Sequence, residues 1–103
     1  MTIPTQLVLQ VLLQEPAAER YGYEVGDLAG LASGTVHPIL ARLEGAGWLE
    51  SRWEDVEASA AGRPPRRYYR LTADGVASAH DALTRARRPR RSGANPWPAP
   101  ERT

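Results

Sequence analysis

The chain has 103 residues, 42% of them apolar, no cysteine and a net charge of +1. That length fits one small domain with a modest core that a second copy could complete, and the missing cysteines exclude a disulfide framework or a thiolate metal site. No run reaches the roughly 18 apolar residues of a membrane helix, and no charged-then-apolar leader opens the chain, so a soluble cytoplasmic protein is expected.

Charge is unevenly placed. Residues 1–62 hold nine acids and three arginines, residues 63–103 ten arginines and three acids, and no base is Lys. Codon bias accounts for the choice of Arg overall. The clustering after residue 62 points instead to a contact with phosphate or guanine, which Arg binds in a bidentate fashion.

Leu7, Val8, Leu9, Val11, Leu12 and Leu13 predict a first helix, with Pro4 in its first turn, where a missing N–H costs little. Apolar residues cover most of its circumference, so it is buried on more than one side. A second subunit is the expected partner for that extra side; a central core helix in a monomer is the alternative. Pro16 ends the helix and Ala17 to Gly22 reads as a short connection. Tyr23, Val25, Leu28 and Leu31 predict a second helix of about two turns, and Gly30-Leu31-Ala32 a tight turn into a third. Two helices joined by a short glycine-containing turn form a helix-turn-helix.

In the third helix Val36, Ile39, Leu40 and Leu43 share one stripe. Thr35, His37, Pro38, Ala41 and Arg42 share the opposite face, which is small and polar at its leading end and suits insertion into a DNA groove. Its start has two readings. Ser33 is one candidate N-cap; Thr35 is the other, and it places Pro38 where the lost N–H has no intrahelical partner. A Thr35 cap, or a distorted first turn beginning at Ser33, is preferred. Gly45 and Gly47 end the helix.

Trp48 to Glu54 alternates, predicting a strand with Leu49 and Trp53 inward, and Arg67 to Leu71 predicts a second. The link between them is long and carries Arg63, Arg66 and Arg67 at its far end, which makes the pair a two-stranded wing with a basic loop. Trp48, Trp53, Tyr68 and Tyr69 are expected to form an aromatic cluster, mostly core under the wing. Thr72 caps a last helix, with Asp74 favourably placed near its positive end and a stripe of Val76, Ala79, Ala82, Leu83 and Ala86. Residues 1–88 are read as one domain and 89–103 as a disordered tail rich in Pro and Arg.

The candidate DNA contacts follow. Ser33, Thr35 and His37 can bond to phosphate or base edges, Pro38 can touch a thymine methyl, and Arg42 can reach phosphate or guanine. Against this, Ser33 and Thr35 can serve only as caps, and Arg42 can pair with Glu44 or Glu24. Arg63, Arg66 and Arg67 suit the backbone or the narrow minor groove; a solvated loop is the alternative. The Arg85–Arg91 run is read as a solvated tail that could supplement DNA affinity. His37 and His80 have no metal-ligand spacing, and no nucleophile–base set, phosphate loop or paired acids occur, so no enzyme, metal or cofactor is expected.

These pieces resemble the PadR-like family of bacterial winged-helix transcriptional regulators. The matching segments are Tyr21 to Val25, Ser33 to Glu44, Gly47 to Leu49, Gly62 to Pro64 and Tyr68 to Gly75, in order from about residue 6 to residue 83. The resemblance implies an α+β, mostly α, winged helix-turn-helix with a C-terminal dimerisation helix pairing with the first. It implies a homodimer on double-stranded DNA, usually a repressor relieved by a small molecule. This chain looks like the compact branch, with a single C-terminal helix. His37 stands where the family usually has Tyr, and Trp48 where it usually has a small aliphatic residue. The expected protein is a repressor on an inverted-repeat operator, with a small aromatic effector as a further candidate partner, a site for it unassigned, and no membrane contact. A winged-helix interaction module or a ligand sensor without its own DNA target is the alternative.

Overall fold

The computed structural model describes residues 1–55 and 62–87. Part of the wing loop, the expected tail from residue 89, and Arg88, Arg90 and Arg91 lie outside the described residues. The elements are α1 (Ile3–Gln14), β1 (Arg20–Tyr21), α2 (Gly22–Ala29), α3 (Ser33–Gly45), β2 (Leu49–Trp53), β3 (Arg67–Leu71) and α4 (Ala73–Arg87).

Helix α1 starts where expected. Thr2 caps it, its hydroxyl accepting from Thr5 N–H at 3.3 Å, and Pro4 sits in the first turn. Val8, Leu9, Val11 and Leu12 are buried and meet Val25 from α2 and Val36, Ile39, Leu40 and Leu43 from α3 in one cluster. The cluster continues through Leu49, Tyr69 and Leu71 on the sheet to Ala79 and Leu83 on α4. The alanine-rich stripe of α4 is buried at Gly75, Ala79, Ala82 and Leu83, whereas Ala86 is exposed.

The expected wing is present, β2 pairing antiparallel with β3 from Leu49↔Leu71 to Trp53↔Arg67. It gains a third strand. Arg20 and Tyr21, read from sequence as connection, pair with Tyr69 and Tyr68, giving the order β1-β3-β2. Two residues are too short for an alternation to show; the long-range partner makes the strand. Arg20 is 9% exposed and pairs with Glu15 at 3.1 Å and Glu24 at 3.2 Å, which ties β1 to the end of α1 and the start of α2.

Three expectations change. Helix α3 begins at Ser33, the start that one of the two preferred readings gave it, but with Ala32 in the cap position, so neither Ser33 nor Thr35 is the N-cap. The preceding turn decides this: Leu31 N–H bonds to Gly26 C=O at 2.8 Å with Gly30 left-handed, delivering the chain in helical register by Ser33. The Ala32 carbonyl accepts from both Thr35 and Val36, and Pro38 falls inside the helix, where Gly34 C=O loses its usual donor. Trp53 is 60% exposed rather than inward, because β2 runs past the helices that cover Leu49. The expected aromatic cluster therefore does not assemble. Tyr69 is core, Trp48 packs at its margin, Tyr68 meets Tyr21 edge-on at 5.9 Å, and Trp53 lies under Arg67.

The end of α3 holds as read. Trp48 N–H reaches Leu43 C=O at 2.9 Å and Gly47 N–H reaches Glu44 C=O at 3.0 Å, a double closure that needs the φ of +82° at Gly47. Thr72 then joins the end of α3 to the start of α4. Its hydroxyl accepts from Gly75 N–H at 2.9 Å, capping α4, and donates to Gly47 C=O at 2.8 Å.

Candidate nucleic-acid interface

The buried stripe of α3 fixes which residues face out. With Val36, Ile39, Leu40 and Leu43 in the core, Thr35, His37, Pro38, Ala41 and Arg42 are all exposed and Ser33 is half-buried at the first turn. Arg42 forms no ion pair or hydrogen bond through its guanidinium among the described residues. Its two candidate partners are engaged elsewhere. Glu24 holds Arg20, and Glu44 holds Ser51 Oγ and, at 3.5 Å, Arg67. The helix edge thus offers one uncommitted cation beside small polar groups.

His37 is less free than its exposure suggests. Its Nδ1 lies 2.9 Å from Ser33 C=O. A carbonyl only accepts, so Nδ1 carries the proton and Nε2 is the acceptor in the neutral ring. The ring leans over the start of α2, edge-on to Tyr23 at 6.3 Å, and so close to Gly22 that a Cβ there would come within about 2.5 Å of Nε2. Gly22 makes room for the imidazole.

The wing is the opposite case. Each of its three arginines already has an internal partner. Arg63 grips Glu54 with both terminal nitrogens, at 2.6 and 2.9 Å. Arg66 lies 4.2 Å over the Tyr21 ring and donates its backbone N–H to Glu54 at 3.3 Å. Arg67 reaches Glu44 and covers Trp53 at 5.0 Å. The Arg63 guanidinium and the Arg66 N–H hold the Glu54 carboxyl down at about 2, and Glu54 in turn raises Arg63. On the sheet face turned away from the helices, Arg52 holds Glu19 at 2.7 Å through two nitrogens, lowering that carboxyl, and Arg70 holds Glu50 at 2.6 Å.

Between helix edge and wing lies a cleft of about 640 Å³. Tyr21, Tyr23, His37 and Trp53 give it aromatic walls, and Arg63 and Arg66 line the wing side. The sequence had marked His37, Arg63, Arg66 and Arg67, and the fold brings all four to this cleft. Ser33, Thr35, Pro38 and Arg42 stay on the α3 edge. Reading the sequence missed Tyr21 and Tyr23 as site residues, though both lie in the segment Tyr21 to Val25; it missed Glu54 as the partner of Arg63, and it offered Glu44 to Arg42 where the fold gives it to Arg67. Among the described residues no group of three or more His, Asp or Glu side chains is placed to hold a metal ion, and no helix is long and apolar enough to cross a membrane.

The arrangement of helix-turn-helix, wing and closing helix has clear relatives. The family model for PadR-like transcriptional regulators matches residues 8–81. The chain belongs to that family. A PadR family regulator from Eggerthella lenta is similar in structure at a TM-score of 0.62 and 29% identity, over 79% of this chain and 71% of that one. A PadR family regulator from Clostridium difficile shares the fold at a TM-score of 0.66 and 23% identity, over 84% and 88% of the two chains. The PcaV regulator from Streptomyces coelicolor, solved with its natural ligand, aligns at 0.61 and 28% identity, over 82% of this chain and 53% of that one. No curated protein matches. Family and fold make this a DNA-binding transcriptional regulator.

Proposed function

We propose that this family member is a homodimeric repressor that binds an inverted-repeat operator through α3. The observation that carries the reading is the α3 edge: a core-anchored stripe on one side, and on the other Thr35, Pro38 and an uncommitted Arg42, with Ser33 and His37 beside them. Such an edge can enter a major groove, with Arg42 reaching phosphate or guanine and Pro38 meeting a thymine methyl. Arg66 and Arg67 lie alongside the flanking backbone in this reading. Helices α1 and α4 form the dimer. Their packing leaves an open groove of about 400 Å³ lined by Gln10, Leu13, His80, Leu83 and Arg87, which suits a second copy. A dimer places two copies of α3 about 34 Å apart, one helical turn of DNA.

Selection of bound fragments from the source genome, followed by gel shift, tests this. An inverted repeat with half-sites one turn apart is expected, and light scattering should give twice the chain mass. A lone subunit with no duplex affinity would overturn it. Relief by a small planar effector belongs to the same proposal. PcaV was solved with a ligand, and the aromatic cleft beside Trp53 offers this chain a place for one, next to the DNA-facing helix. Quenching of Trp53 fluorescence by planar aromatic compounds, lost in Trp53→Phe, is the expected sign.

A further inference from the structure

We propose that Glu54 lowers the sequence-independent part of this regulator's DNA affinity by occupying Arg63 while it holds the wing closed. The inference rests on the DNA-binding reading above. Glu54 follows β2 directly, and its backbone N–H extends the ladder by one bond to Arg66 C=O at 2.7 Å. Its carboxylate takes both terminal nitrogens of Arg63 and the Arg66 N–H. The carboxylate is inside, at 8% exposure, and the guanidinium outside, at 37%, facing the cleft. Arg63 is therefore placed where a phosphate could meet it, but its bidentate fork is already filled by a carboxylate of the same geometry.

Non-specific duplex binding scales with the number of phosphates the protein neutralises. A wing arginine that keeps its internal anion adds shape and no counterion release. Glu44 acts on Arg67 in the same sense, but at 3.5 Å and with its carboxylate shared with Ser51, so Glu54 is the stronger of the two. The consequence is a wing that guides the duplex, with binding to unrelated sequence held down and the α3 edge left to discriminate. Glu54 is a positioning residue: it acts on DNA through Arg63.

The test is a salt titration of wild type and Glu54→Gln on unrelated duplex, followed by fluorescence anisotropy. Gln keeps the size and an oxygen for the Arg66 N–H but loses the charge. The slope of log K against log salt should steepen by about 0.9, one phosphate, in the variant. Glu50→Gln makes the same change in net charge on the sheet face turned away from the helices and should leave the slope unchanged. Adding Arg63→Gln to Glu54→Gln should restore the wild-type slope. A folded Glu54→Gln protein with an unchanged or shallower slope overturns the inference, and so does a double variant that stays steep. Should Glu54→Gln fail to fold, Arg63→Gln alone decides: no change in slope supports the inference, and a loss of about one unit overturns it. Wild-type protein that binds no duplex at all overturns the DNA-binding reading itself, a result separate from an unchanged slope.

Discussion

The α3 edge and the wing carry similar residues and use them in opposite ways. On α3 the apolar stripe does the anchoring, so the polar side chains are left over for an outside partner, and Arg42 faces solvent with no internal anion among the described residues. In the wing there is little apolar anchoring beyond Leu49, Tyr69 and Leu71, and the arginines hold the far end of the element together: Arg63 with Glu54, Arg67 with Glu44 and Trp53, Arg66 with Tyr21. The lesson is that a count of arginines is not a count of available charge. A basic stretch can be basic because it needs cations for its own architecture, and only the folded pairing tells the two apart.

The comparison breaks most strongly if the anchoring of α3 is removed. Leu40 is fully buried. Leu40→Ala should cost about 2–5 kcal/mol in a urea titration, and duplex binding should go with it, since the stripe seats the edge in the core. A loss below about 1 kcal/mol would show that α3 is seated by something else. The next effect has the opposite sign. Pro38 denies Gly34 C=O its helical donor, so Pro38→Ala should stabilise α3, by up to about 3 kcal/mol on the helix-interior scale. Weaker duplex binding in the stabilised protein would mark Pro38 as part of the contact; unchanged stability would mean the first turn is already relaxed around it. Third, Arg42→Ala should cost about 1–3 kcal/mol of specific affinity and one unit of salt slope, while Arg63→Ala leaves the slope where it was. Equal effects from the two arginines would erase the contrast between helix and wing.

Much of this was legible in the chain. The period of Val36, Ile39, Leu40 and Leu43, the glycines at 30 and 47, and the alternation from Leu49 settle the helices, turns and hairpin, because each is a local pattern repeated over several residues. What was not legible depends on distant partners. Strand β1 is two residues that exist as a strand only against Tyr68 and Tyr69. Ser33 and Thr35 have the chemistry of caps, but the Gly26–Leu31 closure sets the start of the helix earlier than either would. The Arg67–Glu44 and Arg52–Glu19 pairs span 23 and 33 residues of sequence. Alternation put Trp53 inside; the sheet had already outrun its cover.

Acid separates the two regions at the smallest scale. Glu54 titrates at about 2 in the folded wing, well below the roughly 4.3 of a free glutamate. A carboxyl depressed on folding contributes stability that is present above its unfolded value and is lost as the pH falls through the folded one. The Glu54 tie should therefore be intact at neutral pH, weaken below about pH 4.3, and be gone once the pH drops past about 2. Glu19, just before β1 and lowered by Arg52 of β2, acts in the same direction. The core stripe of α3 contains no titratable group and has no such dependence. Urea midpoints at pH 7, 4, 3 and 2 should fall less for Glu54→Gln than for wild type, because the variant starts without the tie. The indole N–H of Trp53, beneath Arg67 in the wing, should shift in acid before the amides of α3 do. Parallel losses in the two proteins would show that the carboxylate does not hold the wing.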